Sequence, residues 1–266
     1  MKPRLHLVTR ADDAGSCRSA NEAILECVEA GTIKNVSFMA VGPEIEHAVE
    51  LLAGRDDIAY GLHVCLNAEW EEVKWKPLTG APLLIDENGN CLPTPNDTLR
   101  QMNRAFAGKH LFSSSAFLYD IHDLLDGVKY EMRLQLDRLR ALGLNISYVD
   151  EHMGVSWISP ELRAHIADLP LFDAHPIPSL SEPTVQTDDL LALESRLKAA
   201  TGDAYVWVTH PGKIAPDMNA FHLAGQPPGL VARERDAERR LLCDPRLPGL
   251  FEKWRVQATR YDELRL

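Results

Sequence analysis

The 266-residue chain contains few cysteines, no surplus of basic residues and no long apolar run. Its five cysteines are odd in number, widely spaced and without a CxxC pair, which argues against a disulfide framework or a cysteine-based zinc site. The 28 Lys and Arg residues against 39 Asp and Glu residues give a net charge of −11, and no basic run stands out. Nucleic acid and anionic membrane surfaces are therefore not expected partners.

No apolar stretch approaches the roughly 20 residues that span a membrane. The first four residues lead directly into a short apolar run, without the pattern of a signal peptide, so we expect a cytoplasmic protein. What the chain does contain is ordinary for a globular protein, with 45% hydrophobic and 25% charged residues. We predict one domain over 1–266, because neither an internal repeat nor a linker interrupts the sequence.

Short apolar runs alternate with amphipathic helical segments along most of the chain. This alternation implies right-handed βαβ units and a parallel sheet. Residues 65–117 break the pattern and are rich in Pro, Gly and Asn, so we predict a long insertion that could cover a site at the end of the third strand. Within it we predict a hairpin at Asn88–Gly89 and a helix near 99–106. The predicted strands are 5–8, 35–41, 58–64, 146–149, 204–208 and 255–258, and the other predicted helices are 19–30, from 43, 118–142, 160–168, 188–199 and 230–242.

Two adjacent carboxylates, Asp12 and Asp13, lie between the first predicted strand and the first predicted helix. In α/β folds such strand ends are where sites are built, because a rigid scaffold holds the loops. Two neighbouring Asp side chains are costly to ionise together unless a cation or strong donors lie between them. A metal ion would give the pair different tasks, one as ligand and one as base. Taken alone, the pair is also typical of a polar turn beside a helix cap.

Three further strand ends carry side chains suited to metal or acid–base chemistry: His63, Asp150 with His152, and His210. Each histidine alone is more often structural. Parallel strands bring their carboxyl ends to one face, however, so we expect these side chains to meet the Asp pair. One carboxylate and two imidazoles bind a divalent cation and leave positions open for water and substrate. We assign Asp13, His63 and His152 as the metal ligands.

Short motifs in a matching order make the sequence similar to a known family over nearly its whole length. It resembles the YdjC-like carbohydrate deacetylases, the group that includes chitooligosaccharide deacetylase. The matching motifs are RADDAG at 10–15, NEAI at 21–24, GP at 42–43 with Ala48, GLH at 61–63, Gly143 with YVDEH at 148–152, and HPG at 210–212.

The resemblance implies an α/β fold, an irregular and incomplete β/α barrel similar to that of polysaccharide deacetylases. It implies a hydrolase that removes an acetyl group from an N-acetylated sugar or short oligosaccharide, using one divalent ion, Mg²⁺ or Zn²⁺. Asp12 would be the catalytic base, Asp150 a partner that orients a ligand, and His210 the general acid. A homodimer is common in the family and is expected here.

Three positions depart from the family pattern and bear on the substrate rather than on the metal ligands. Ala14 stands where the family usually has Phe, Gly154 stands where it has a second His, and the stretch 172–175 lacks the usual Arg. Aromatic rings stack on sugars, although two tryptophans in a long loop serve equally well as anchors. The candidate substrate-binding residues are Arg10, Trp70 and Trp75.

Other functions use the same residue types. A metal-dependent hydrolase of another acyl or ester bond would need the same ligands and base. A non-haem Fe(II) oxygenase also uses one carboxylate and two histidines, but those ligands belong on a β-rich scaffold. A non-catalytic sugar-binding protein would not need Asp12 beside Asp13. On the last predicted helix, Arg233, Arg235 and Asp236 could reach the site, and the sequence does not decide whether they do.

Overall fold

In the part of the chain that the structure describes, six parallel strands form one open sheet. The computed structural model describes residues 5–111, 121–169, 177–180 and 189–264. The strand order is β4-β3-β2-β1-β5, with β6 beside the start of β1. This α/β half-barrel confirms the predicted fold class. The strands are β1 (Leu5–Ala14), β2 (Asn35–Phe38), β3 (Ala59–Val64), β4 (Ile146–Glu151), β5 (Ala204–Thr209) and β6 (Val256–Ala258).

Every residue of β2 and β3 is buried. Because successive side chains of a strand point to opposite faces, complete burial means that both faces of the sheet are covered. Within the described ranges, no helix is both long enough and apolar enough to cross a membrane. The helices are α1 (Arg18–Glu29), α2 (Ile45–Leu52), α3 (Pro95–Leu111), α4 (Ile121–Ala141), α5 (Pro160–Asp168), α6 (Leu190–Ala199), α7 (Pro216–Asn219), α8 (Leu230–Leu242) and α9 (Leu247–Trp254).

Strand β1 is longer than the sequence predicts and continues through the Asp pair to Ala14. Its register with β2 shifts between Ala11 and Ala14, and Asp13 has a left-handed φ of 63°. In a regular strand Asp12 and Asp13 would point to opposite faces, but a bulge re-aims side chains. Both carboxylates consequently line the same cleft at the end of the strand.

Most predicted elements agree with the structure to within a few residues, but two helices were not predicted, the four-residue α7 and, further along the chain, α9. Its first turn, Leu-Pro-Gly, is a weak helical pattern because glycine is a poor helix former. Burial of Leu247 and Phe251 against the core stabilises it instead. The predicted helix start at 118 and the stretch 172–175 lie outside the described residues. The single domain over 1–266 stays a prediction.

The described part of the insertion after β3 contains both predicted elements. A turn closes at Gly89, whose backbone N–H donates to the carbonyl of Asp86 at 3.1 Å. It joins an antiparallel bridge between Ile85 and Cys91, as a short hairpin requires. Helix α3 is longer than the predicted 99–106.

Two buried side chains of α4 fix the insertion to the body of the protein. The Glu131 carboxylate accepts hydrogen bonds from the backbone N–H groups of Leu78 and Thr79 at 2.9 and 2.7 Å. The Gln135 amide accepts from the N–H of Cys65 at 3.0 Å and donates to its carbonyl at 2.8 Å. The start of the insertion is thereby held beside the end of β3, where the candidate site lies.

Candidate metal centre

Three side chains from different strand ends meet in one buried cluster. Asp13 Oδ1 lies 3.5 Å from His63 Nε2 and 3.3 Å from His152 Nδ1, and those two nitrogens are 3.3 Å apart. All three residues are at most 5% exposed. The structure therefore brings together the three residues that the sequence predicts as metal ligands.

The residues present fit a divalent cation. Ligand atoms that lie about 2.0–2.2 Å from one ion are separated from each other by about 3–3.5 Å, which is the spacing of this cluster. Asp13 Oδ1 is buried and has no hydrogen-bond partner among the described residues, although a buried carboxylate oxygen ordinarily has one. The same three residues form a cluster of potential ligands within 4.8 Å of one another.

A carboxylate lies behind each imidazole and orients it. His63 Nδ1 is 2.5 Å from Asp150 Oδ1, its register neighbour on β4, and His152 Nε2 is 3.0 Å from Glu69 Oε2. When each ring places a proton on the nitrogen beside its carboxylate, the other nitrogen offers a lone pair to the cluster. Carboxylate partners of this kind fix the tautomer and raise the basicity of ligating histidines.

Hydroxyl groups in turn hold Asp150. Ser37 Oγ donates to Asp150 Oδ2 at 2.6 Å, and the Tyr148 hydroxyl lies 3.0 Å from Ser37 Oγ and donates to it. Burial raises the pKa of Tyr148 well above its usual range, so its hydroxyl keeps the proton that it donates. A Cβ at Gly61 would overlap the Tyr148 ring, which explains why this strand position has no side chain.

The charges around Asp13 favour its ionised form. Burial alone would raise its pKa, but Arg235, which bonds Asp13 Oδ2 at 2.6 Å, and the two histidines hold that pKa well below its usual range. Burial would lower the pKa of His63, yet Asp150 and Asp12 raise it to about 10. The pKa of His152 is raised to about 9, because Glu69 and Asp13 outweigh the effect of burial.

These pKa values predict that metal binding depends strongly on pH. Both raised values exceed the usual value of about 6.5, so we expect the metal-free protein to bind protons on these imidazoles at pH 7. A cation must then displace two protons, and its affinity should rise by up to about 100-fold per pH unit between pH 6 and 8. Calorimetric titration with Mn²⁺ in two buffers of different ionisation enthalpy counts the protons released. An affinity that is independent of pH, with no proton release, would contradict these values.

Asp12 lies beside the cluster without joining it. Arg10 grips its carboxylate with a fork, Nε to Oδ1 at 2.7 Å and Nη2 to Oδ2 at 2.8 Å. The Asp12 side chain is 3% exposed and lines the cleft. It is thus fixed next to Asp13 at the wall of the cleft.

The cluster lies in a cleft of about 470 Å³ that is open to solvent. His210 and Trp70, two of the candidate site residues, line this cleft, and so does Gly154, where an added Cβ would contact nothing within 4 Å. Trp75 does not line it: the ring packs against His152, and its Nε1 donates to the carbonyl of Asn67 at 2.8 Å. This position favours the anchoring role for Trp75 over sugar stacking.

Two residues of helix α8 contact residues that line the cleft. Arg235 bonds Asp13, and its guanidinium carbon lies 5.6 Å from the centre of the Trp70 ring. Glu238, one turn later, accepts a hydrogen bond from the His210 backbone N–H at 2.7 Å. Burial raises the pKa of Glu238, although His210 opposes the rise.

The sequence alone did not identify two residues that touch the cluster. Glu69 lies in the irregular insertion, where no periodic pattern indicates which side chains point inward. Arg235 was recognised only as one of three charged residues that could reach the site, and helical spacing does not distinguish a surface charge from a buried one. Its burial to 6% exposure sets it apart from its neighbour Arg233.

Curated relatives carry names that refer to sugar deacetylation. Over 154 residues the chain is 34% identical to a carbohydrate deacetylase of Mus musculus, covering 58% of this chain and 43% of that protein. Over 163 residues it is 26% identical to a chitooligosaccharide deacetylase of Yersinia pestis, covering 60% and 54%. The matches thus span about half the length of these two relatives. A carbohydrate deacetylase of Thermoanaerobacter pseudethanolicus is 20% identical over 98% of this chain and 99% of its own.

A solved structure shares the fold, and a family model identifies the chain. The crystal structure of a proposed cellobiose-phosphate cleavage protein from Enterococcus faecalis superposes with a TM-score of 0.65 at 14% identity, covering 97% of this chain and 98% of the other. Residues 6–201, which include all three residues of the cluster, match the model of the family described as YdjC-like protein. The chain therefore belongs to the YdjC-like family, as its motifs predict.

Proposed function

We propose that this protein is a metal-dependent hydrolase that removes an acetyl group from an N-acetylated sugar or short oligosaccharide. The observation that carries the proposal is the cluster of Asp13, His63 and His152 at the floor of an open cleft, with Asp12 fixed beside it. The family membership and the names of the curated relatives support the choice of an acetylated sugar.

In this mechanism Asp13, His63 and His152 would hold one divalent cation. When bound, the cation lowers the pKa of water and stabilises the negative charge that develops on the acetyl oxygen. Asp12 accepts the proton of the attacking water on a carboxylate oxygen. Asp150 and Glu69 keep the two imidazoles oriented through His63 Nδ1 and His152 Nε2.

The leaving amine needs a proton, because an unprotonated amine leaves poorly. His210 is the proposed donor, since it lines the cleft at the end of β5 and its backbone is fixed by Glu238. Trp70 is the proposed sugar-contacting ring. We also propose Mg²⁺ or Zn²⁺ as the ion, a cytoplasmic location and a homodimer.

Acetate release from N,N′-diacetylchitobiose and a panel of other N-acetylated sugars tests the function. We expect release by the purified protein that chelator abolishes and added divalent metal restores. Aryl acetates and N-acetylated amino acids in the same panel test the alternative of another acyl substrate. Acetate release from these compounds but from none of the sugars would overturn the assignment of a sugar substrate, and the protein would still be a hydrolase. Tight sugar binding without any turnover would instead identify a non-catalytic binding protein.

A further inference from the structure

Arg10 has contacts that its predicted role in substrate binding does not explain. All three of its guanidinium nitrogens already have partners in the protein. Nε and Nη2 donate to Asp12, and Nη1 donates to the Tyr261 hydroxyl at 3.3 Å and forms an ion pair with Asp150 Oδ2 at 3.0 Å. The side chain is only 11% exposed. The nitrogens of this guanidinium therefore already contact protein groups when no substrate is bound.

Arg10 also joins two parts of the site that make no direct hydrogen bond with each other among the described contacts. On one side it grips Asp12, the proposed base. On the other it holds Asp150, whose second oxygen contacts His63. The path from Asp12 through Arg10 and Asp150 to His63 is continuous, with each contact between 2.5 and 3.0 Å.

Arg10 supplies a positive charge between the buried carboxylates of Asp12 and Asp150. Asp12, Asp13 and Asp150 are three carboxylates buried within one site, and buried like charges destabilise each other unless cations lie between them. Arg235 bonds Asp13. Arg10 is the arginine that bonds the remaining two, and only a planar, branched guanidinium can grip one carboxylate with a fork and reach a second at the same time.

We propose that Arg10 is a positioning residue that binds the base Asp12 and the ligand-orienting Asp150 into one unit, so that the base and the metal ligand His63 keep a fixed relation. This inference rests on the proposed function for the role of Asp12 but not for the role of Asp150. One substitution should then impair two properties that are otherwise separate: the chemical step through Asp12 and metal affinity through Asp150.

Arg10→Lys tests the inference, because lysine keeps the charge and loses the fork. We expect the affinity for Mn²⁺, titrated without substrate, to fall by about 10-fold or more, and kcat at saturating Mn²⁺ to fall by a similar factor. KM for the sugar should stay within about threefold, because the substrate contacts are unchanged. Arg55→Lys is the matched control: Arg55 grips Asp57, also two residues away, with the same fork at 2.9 and 2.8 Å, on the protein surface.

Each other outcome overturns the inference in a different way. A fall in kcat alone would show that Arg10 positions Asp12 and not Asp150. A rise in KM alone would show that Arg10 binds the substrate. If the Arg10→Lys and Arg55→Lys variants had the same Mn²⁺ affinity and the same kcat, Arg10 would have no role at the site. If Arg10→Lys fails to fold, Arg10→Gln replaces it, because the glutamine amide can still donate hydrogen bonds. Because the Mn²⁺ titration needs no substrate, it distinguishes failure of this inference from failure of the proposed function.

Discussion

Asp12→Asn is expected to lower kcat for acetate release by about 10²–10⁴-fold, the usual contribution of a general base, while Mn²⁺ affinity changes little. The amide cannot accept the proton of the attacking water. It has nearly the same shape as the carboxylate, and its oxygen can still accept one hydrogen bond from Arg10. Asp13, His63 and His152 are untouched, so the metal site should persist.

Kinetics at saturating Mn²⁺, together with a calorimetric Mn²⁺ titration, measure both parts of this expectation. The matched control is Asp57→Asn, which makes the same exchange in the surface pair with Arg55. Asp57 is 38% exposed, so this variant should keep the kcat of the parent protein. An Asp12→Asn variant with more than about a tenth of the parent kcat would rule out Asp12 as the base, since loss of a general base costs at least about 100-fold.

The meeting of Asp13, His63 and His152 was predictable because strand topology alone determines where these residues lie. Parallel strands end on one edge, so the residues at the ends of β1, β3 and β4 had to approach one another, whatever their exact register. The bulge that turns Asp12 and Asp13 into the same cleft was not predictable. It depends on the pairing of β1 with β2 and on a left-handed φ at Asp13, and neither can be recognised from the residue pattern.

The surroundings of this cluster were harder to predict than the cluster itself. Glu69 reaches His152 from an irregular segment, and Arg235 reaches Asp13 from a helix more than 200 residues away in the sequence. Arg10 was named from the sequence only as a candidate substrate-binding residue. Its contacts with Asp12 and Asp150 become apparent only once β1 and β4 are in place. Partners behind a metal site follow from side-chain directions, which periodicity does not encode.

His63→Ala is expected to weaken Mn²⁺ binding by more than about 100-fold, the upper end of what loss of a partner behind a ligand costs, because here a ligand itself is removed. Binding of an ion to the folded state alone stabilises it, so a 100-fold weaker site loses about 2.7 kcal/mol of metal-induced stabilisation when the ion is in excess. The difference in the free energy of unfolding with Mn²⁺ and with chelator measures this loss.

His6→Ala is the matched control for His63→Ala. His6 also lies on a central strand, but at the opposite end of β1, where its Nδ1 is 3.1 Å from Thr259 Oγ1. It should keep the full metal-induced stabilisation, even if the metal-free protein is less stable. Should His63→Ala respond to Mn²⁺ as strongly as His6→Ala does, the cation would have to bind elsewhere. The unpartnered Asp13 oxygen and the inward-facing imidazole nitrogens would then need another explanation than a metal ion.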